Sequence, residues 1–377
     1  MIDKRIENLL NLPGFGRLMV FDLYGMNRFF DFAGYLTKQG FTLKVYENVE
    51  VFRVEYEENI KAATERIAVI VQCDIYVPYD ILQCFHKVHL SFAKIFPKLH
   101  SLTLMQHIRD IDLISFAYDS CYTVLDGAKE TEDFILQTVF SMENIQRYCE
   151  EKAADLLLLC DSANRYTDWI QIAIQKAKVL HYAAMKFTDI DLSFADEKFM
   201  SFIQNGYGGL SSEIGSSAPA IITRTMSMIC NHAGKKVALI VMDGMSLFDF
   251  EVISKHFNGI SFELYGSFAL IPTTTTISRQ SMLTGKFPRE LVKPFSLSNE
   301  EKEFKNFGQR LGYTKNQIQY LRGFNSEVSQ LAKLVVIVVG DIDDIVHGQR
   351  QGRAGMYNDI NLLGKNGKLQ KLIRELT

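Results

Sequence analysis

No apolar run in this 377-residue sequence reaches the roughly 18 residues of a membrane-spanning helix. The opening residues, Met1-Ile2-Asp3-Lys4-Arg5-Ile6-Glu7, lack the basic-then-apolar order of a signal peptide. These two absences point to a cytoplasmic protein with no membrane partner. The six cysteines (Cys73, Cys84, Cys121, Cys149, Cys160 and Cys230) contain no CxxC pair and no metal-type spacing. Cys73, Cys84, Cys160 and Cys230 lie in apolar runs, so reduced structural thiols are expected. Charge of one sign is also lacking. The formal net charge of −3 gives no bulk field for nucleic acid, although net charge does not report a local basic patch. Internal repeats and low-complexity tracts are absent.

What is present is enough chain for two or three domains, with 47% hydrophobic residues to fill their cores. The first hundred residues alternate strand-like and helix-like runs. Leu18-Met19-Val20-Phe21 and Ile67-Ala68-Val69-Ile70-Val71 are short apolar runs rich in strand formers, and Phe41-Thr42-Leu43-Lys44-Val45-Tyr46 alternates with period two. Helical patterns fall at about 26–38 and 79–95. A small α/β domain over 1–99 follows.

Residues 100–232 read as a helical domain. Apolar residues recur at three- and four-residue spacing, as in Phe134, Ile135, Val139 and Phe140, then Ile170, Ile172, Ala173 and Ala177, and proline is absent from 98 to 218. Asn205-Gly206-Tyr207-Gly208-Gly209-Leu210-Ser211-Ser212 through Ser217 is the clearest loop. A last helix is expected from Ala218 to Asn231, with Gly234 as its C-cap. Trp169 and the aromatics of this region could bind partners or form core.

From 233 to 377 the pattern is α/β again. Val237-Ala238-Leu239-Ile240-Val241-Met242 and Leu334-Val335-Val336-Ile337-Val338-Val339 are fully apolar, as expected of strands buried on both faces of a parallel sheet. The first runs into Asp243-Gly244 and the second into Gly340-Asp341-Ile342-Asp343-Asp344. Sites in open α/β sheets form beyond the carboxyl ends of strands. Two such strands predict one acidic site built from residues about 100 positions apart.

Between them lies Ile271-Pro272-Thr273-Thr274-Thr275-Thr276-Ile277-Ser278-Arg279-Gln280-Ser281-Met282-Leu283-Thr284-Gly285. Consecutive threonines suit a helix start, where hydroxyls cap free N–H groups. A helix over Thr276–Leu283, stopped near Gly285, places Thr275 at its N-terminus, the end that favours anions. A threonine hydroxyl there needs a metal or base to become a nucleophile. On this segment alone a threonine-rich helix cap with no chemistry is the favoured reading. Asp343 and His347, four apart, share one face of a helical turn and suit zinc or manganese.

Together these three motifs resemble the alkaline phosphatase superfamily. Pro272, Thr275, Thr284 and Gly285 match the spacing of its nucleotide pyrophosphatase/phosphodiesterase branch. Val241-Met242-Asp243-Gly244-Met245, Pro272 to Gln280 and Gly340 to His347 further resemble the PglZ family of bacterial phage-defence (BREX) systems, over roughly 235–377. The resemblance implies an alkaline-phosphatase-like parallel-sheet domain. It implies a phosphoester hydrolase, a phosphatase or phosphodiesterase, with Thr275 as nucleophile. Asp243 and Thr275 would hold one divalent ion, Asp343 and His347 another, as two zinc or manganese ions. Thr276 and Arg279 would meet the phosphate, though Arg279 is equally open to a structural salt bridge. DNA or RNA and other phage-defence proteins are the implied partners. The basic residues Lys286, Arg289, Lys293, Lys302, Lys305, Arg310, Lys315 and Arg322 could wall a nucleic-acid path or simply be solvated. A threonine in place of cysteine or serine argues against a sulfatase.

One departure stands out. The superfamily completes its site with a later Asp-His pair and a further histidine, and no histidine follows His347. The catalytic domain is therefore expected to be incomplete, as part of a longer protein or a natural truncation. The competing function is a catalytically incomplete scaffold or partner-binding subunit of a defence complex. Because a catalytic zinc normally has three protein ligands, this chain should bind zinc weakly. Calorimetric titration against a version extended past Thr377 checks this, and tight two-site binding by the short chain would refute it.

Overall fold

A computed structural model describes residues 4–72, 74, 76–213, 218–230 and 236–377, with the Cys230 side chain left out. The chain is mixed α/β and divides into two compact units, Met1–Tyr148 and Cys149–Thr377. The boundaries expected at 99/100 and 232/233 both fall inside these units rather than between them. No helix among the described residues is long and apolar enough to cross a membrane.

The first unit is organised by four parallel strands: β1 (Arg17–Phe21), β2 (Phe41–Tyr46), β3 (Arg66–Val71) and β4 (His86–His89), in the order β2-β3-β1-β4. β1 and β3 are central and carry the apolar runs, because only central strands are covered on both faces. Met19, Tyr46, Ile67, Val69 and Val71 pack with Phe52, Tyr56 and Ile81 in one core. The helical stretch expected at 26–38 is two helices, Asn27–Phe30 and Phe32–Lys38, broken at Asp31 (φ 38°), whose carboxylate accepts from the Gly34 amide. The helix expected over 79–95 is not one helix. Tyr79–Leu82 and Phe92–Ile95 are helical, and β4 lies between them. β4 is a four-residue edge strand with Val88 alone buried, too short for periodicity to declare it. Its place is set by pairing with β1 and by His89 stacked on Phe21 at 4.4 Å.

Among the described residues of 101–230 the regular elements are helical. In the second unit, Trp169 of the helix Tyr166–Met185 is 4% exposed and packs on Phe199 and Phe202 of the helix Ser193–Gly206. The loop expected from Asn205 is shorter than its composition suggested. Asn205 and Gly206 finish that helix, and Tyr207–Ser211 forms a 3₁₀ turn. Ser217, Asn231 and Gly234 lie outside the described residues. The helix expected from Ala218 starts later, as a 3₁₀ turn Ile222–Arg224 followed by Thr225–Cys230. Of the cysteines, Cys121, Cys149 and Cys160 are buried free thiols and Cys84 is an exposed one. Burial pushes the Cys149 thiol up to about 11. Cys73 and the Cys230 side chain lie outside the description.

The second sheet has three parallel strands, β5 (Val237–Met242), β6 (Ile318–Arg322) and β7 (Leu334–Val339), ordered β5-β7-β6. β7 is buried along its whole length, as its sequence predicts. β5 is not: Val241 alone is buried, Ala238 is exposed and the other four residues are half-buried. β5 is an edge strand, and among the described residues no neighbouring strand shields its outer side. β6, Ile-Gln-Tyr-Leu-Arg, carries polar residues that hid it in the sequence. Alternation along β7 splits the core in two. Leu334, Val336 and Val338 pack with Leu283, Phe304 and Phe307 on one face. Val335, Ile337 and Val339 pack with Leu372 on the other.

This layering predicts that Val336→Ala, at 0% exposure, costs about 2 kcal/mol by transfer and cavity terms. Val237→Ala at the open edge should cost measurably less. Urea unfolding of both variants checks the order.

Candidate functional site

The site begins with the parallel pairing of β5 and β7. Met242 lies opposite Val339, and the Asp243 amide donates to the Val339 carbonyl at 2.8 Å. Both strands therefore release the chain at one edge of the sheet. After β5 the chain turns at Asp243-Gly244, with Gly244 at φ +72°. Ser246 then caps the helix Leu247–Ser254 through a reciprocal bond with Asp249. After β7, Gly340 leads directly into the helix Asp341–Gly348. Asp341, Asp343 and Asp344 occupy its first turn, where the helix dipole favours carboxylates.

These two turns touch. A Cβ placed on Gly244 would lie 2.9 Å from Asp343 Cα and 3.1 Å from Asp343 Oδ1. Glycine is required here twice over, by its positive φ and by the close approach of Asp343. The contact joins Gly244, the residue after Asp243, to Asp343 in the first turn of the helix that follows β7. Asp343 Oδ1 is 3.6 Å from His347 Nε2, four residues along the same helix. His347 is largely solvent-exposed, at 78% of its side chain.

The third part is the helix Thr275–Thr284, which begins one residue earlier than expected and ends at Gly285 (φ 71°) as expected. Thr274 is its extended N-cap. The chain reaches it through Tyr207, whose hydroxyl donates to the Ala269 carbonyl at 2.9 Å and accepts from the Ile271 amide at 3.0 Å. A cis Ile271–Pro272 bond follows. The first helical amide bonds run from Ile277 and Ser278 to the Thr274 carbonyl, which leaves the Thr275 and Thr276 amides ahead of the ladder. Thr275 and Thr276 are both half-buried.

Arg279, one turn after Thr275 and on its face of the helix, joins this element to β5. Its Nη1 donates to Asp243 Oδ2 at 2.8 Å, and its Nε to Glu300 Oε1 at 2.9 Å. Its Nη2 bonds Glu300 Oε2 and lies 3.3 Å from the Tyr320 hydroxyl. Of the two roles open to Arg279, the ion pair is the one seen. Burial disfavours its charge, but Glu300 and then Asp243 outweigh it and hold the guanidinium above its ordinary range. Glu300, at 0% exposure, also accepts from the Tyr320 hydroxyl. Burial, followed by the Glu300 carboxylate, pushes the Tyr320 phenol up to about 12.

Glu300 and Tyr320 carried no sequence signal as site residues. Each starts or sits within an ordinary amphipathic element, and their partner is 20 to 41 residues away. Several of the basic residues considered as a nucleic-acid wall have local partners instead. Lys286 pairs with Glu303, Lys305 with Glu301, and Arg322 lies 3.9 Å from Glu300.

Carboxylates, a hydroxyl and an imidazole are donor types that suit a divalent ion. Among the described residues, no three or more His, Cys, Asp or Glu side chains form a group that could hold a metal. Compared with known proteins, the chain matches no family model and no curated relative.

Gly244→Ala should displace Asp343 and destabilise the protein by about 1–3 kcal/mol, through strain at positive φ and the backbone clash. Thermal unfolding measures the loss, and an unchanged midpoint would show that the two turns do not constrain each other.

Proposed function

We propose that the second unit is a metal-dependent phosphoesterase that uses Thr275 as its nucleophile, with a nucleic-acid diester as a substrate to test. The observation that carries this reading is the contact of Gly244 with Asp343 at the shared carboxyl edge of β5 and β7, with the Thr275 helix tied to the same edge by Arg279 and Asp243. The motif resemblance to the PglZ family and the alkaline phosphatase superfamily supports it, and the phage-defence setting is taken from that resemblance.

Asp243 with Thr275, and Asp343 with His347, would hold the divalent ions, zinc or manganese. When bound, such ions lower the pKa of a hydroxyl and stabilise charge at phosphorus. The helix start orients the Thr275 Oγ, and the Thr275 and Thr276 amides offer donors to phosphoryl oxygens. Attack would form the Oγ–P bond, the hydroxyl proton passing to solvent, as the bond to the leaving oxygen breaks and that oxygen takes up a proton; a monoester gives a phosphothreonine and a diester a threonine-linked nucleotide, which water then hydrolyses. Arg279 holds the helix against Asp243, and by the resemblance it would also meet the phosphate.

Thr275→Ala in the natural gene product, loaded with zinc or manganese, should lower turnover of a nitrophenyl phosphoester by about a thousandfold or more with folding intact. Activity within a few-fold of wild type would remove Thr275 from the nucleophile's role and direct the same test to Thr274 and Thr276.

A further inference from the structure

We infer that Glu300 is a positioning residue for the candidate site: by balancing Arg279, it leaves Asp243 with an uncompensated negative charge for a cation. The inference rests on reading Asp243 as a cation ligand. Two carboxylates, Asp243 and Glu300, face one guanidinium. Glu300 is wholly buried and takes both Nε and Nη2, while Asp243 takes only Nη1 and retains 12% exposure. The cluster therefore carries one net negative charge, and its solvent-reaching end is Asp243. Arg322 lies 3.9 Å from Glu300 but is 65% exposed, so water screens it.

If Glu300 were neutral, Asp243 and Arg279 would form a self-contained neutral pair. The guanidinium would then compete directly with any cation for the carboxylate. Tyr320 supports the arrangement, because its hydroxyl donates to the Glu300 oxygen that also meets Nη2. A residue in contact with no ligand would thus govern how strongly the strand-end carboxylate attracts one.

The test is Mn²⁺ titration of the full chain, followed by the electron paramagnetic resonance signal of the free aquo ion. Glu300→Gln keeps the shape and removes the charge, and should weaken Mn²⁺ binding by about tenfold or more. Adding Arg279→Gln restores one net negative charge at Asp243, and the double variant should return to within a few-fold of wild type. The double variant leaves Asp243 without its guanidinium partner, so its thermal unfolding is recorded first and binding is read at a temperature where it is folded. A merely structural Glu300 predicts no rescue. If Glu300→Gln does not fold by itself, the same charge change is read in the Arg279→Gln background, where adding Glu300→Gln must weaken binding. Unchanged affinity on loss of the Glu300 charge, in either background, or a double variant as weak as the single one, overturns the inference alone. A wild-type chain that binds no Mn²⁺ overturns the cation-site reading and this inference with it.

Discussion

Parallel pairing of β5 with β7 is the constraint from which the rest of the second unit follows. Strands that run the same way present their carboxyl ends at one edge, so residues separated by a long crossover arrive side by side. The Asp243 amide prolongs the ladder by one bond to Val339. That bond sets where the turn begins and hence where Gly244 meets Asp343. Had the strands been antiparallel, Asp243 and Asp343 would lie at opposite ends of the sheet.

A second constraint is electrostatic. Arg279, Asp243, Glu300 and Tyr320 come from a helix, a strand end, a second helix and β6, and they are joined inside the protein rather than at its surface. Removing one member of such a buried pair leaves an uncompensated charge at a cost of about 3–5 kcal/mol, whereas the intact pair adds little net stability. Its value is geometric. It fixes the rotation of the Thr275 helix relative to β5, and with it the face on which Thr275 lies. The Tyr207 hydroxyl, holding the chain between Ala269 and Ile271, restrains the approach to that helix from the other side.

Legibility in the sequence followed burial and length. β1, β3 and β7 declared themselves because central strands are long apolar runs. β4 and β6 did not, because an edge strand with one solvent-facing side mixes apolar and polar residues over only four or five positions. β5 was found as a strand but misjudged in environment. Six consecutive apolar residues say that a strand forms, and nothing in them says how many neighbours it has. The loop assigned to 205–217 failed at its start, since glycines that permit a turn also permit a 3₁₀ segment.

The residues of the candidate site divide in the same way. Local chemistry is written in the chain: a threonine run that starts a helix, a glycine that ends it, carboxylates directly after apolar strands, and an i,i+4 Asp–His pair. These depend on spacings of a few residues, which backbone geometry translates directly into position. The sequence alone therefore determined Thr275 at a helix N-terminus, Asp243 at a strand end and Asp343 shortly after a second strand. The strand order, the open flank of β5 and the partner of Arg279 were decided only in the tertiary structure. Each depends on which distant segment packs alongside, and a guanidinium can satisfy its donors with a phosphate or with Glu300 equally well until the fold brings one of them within reach.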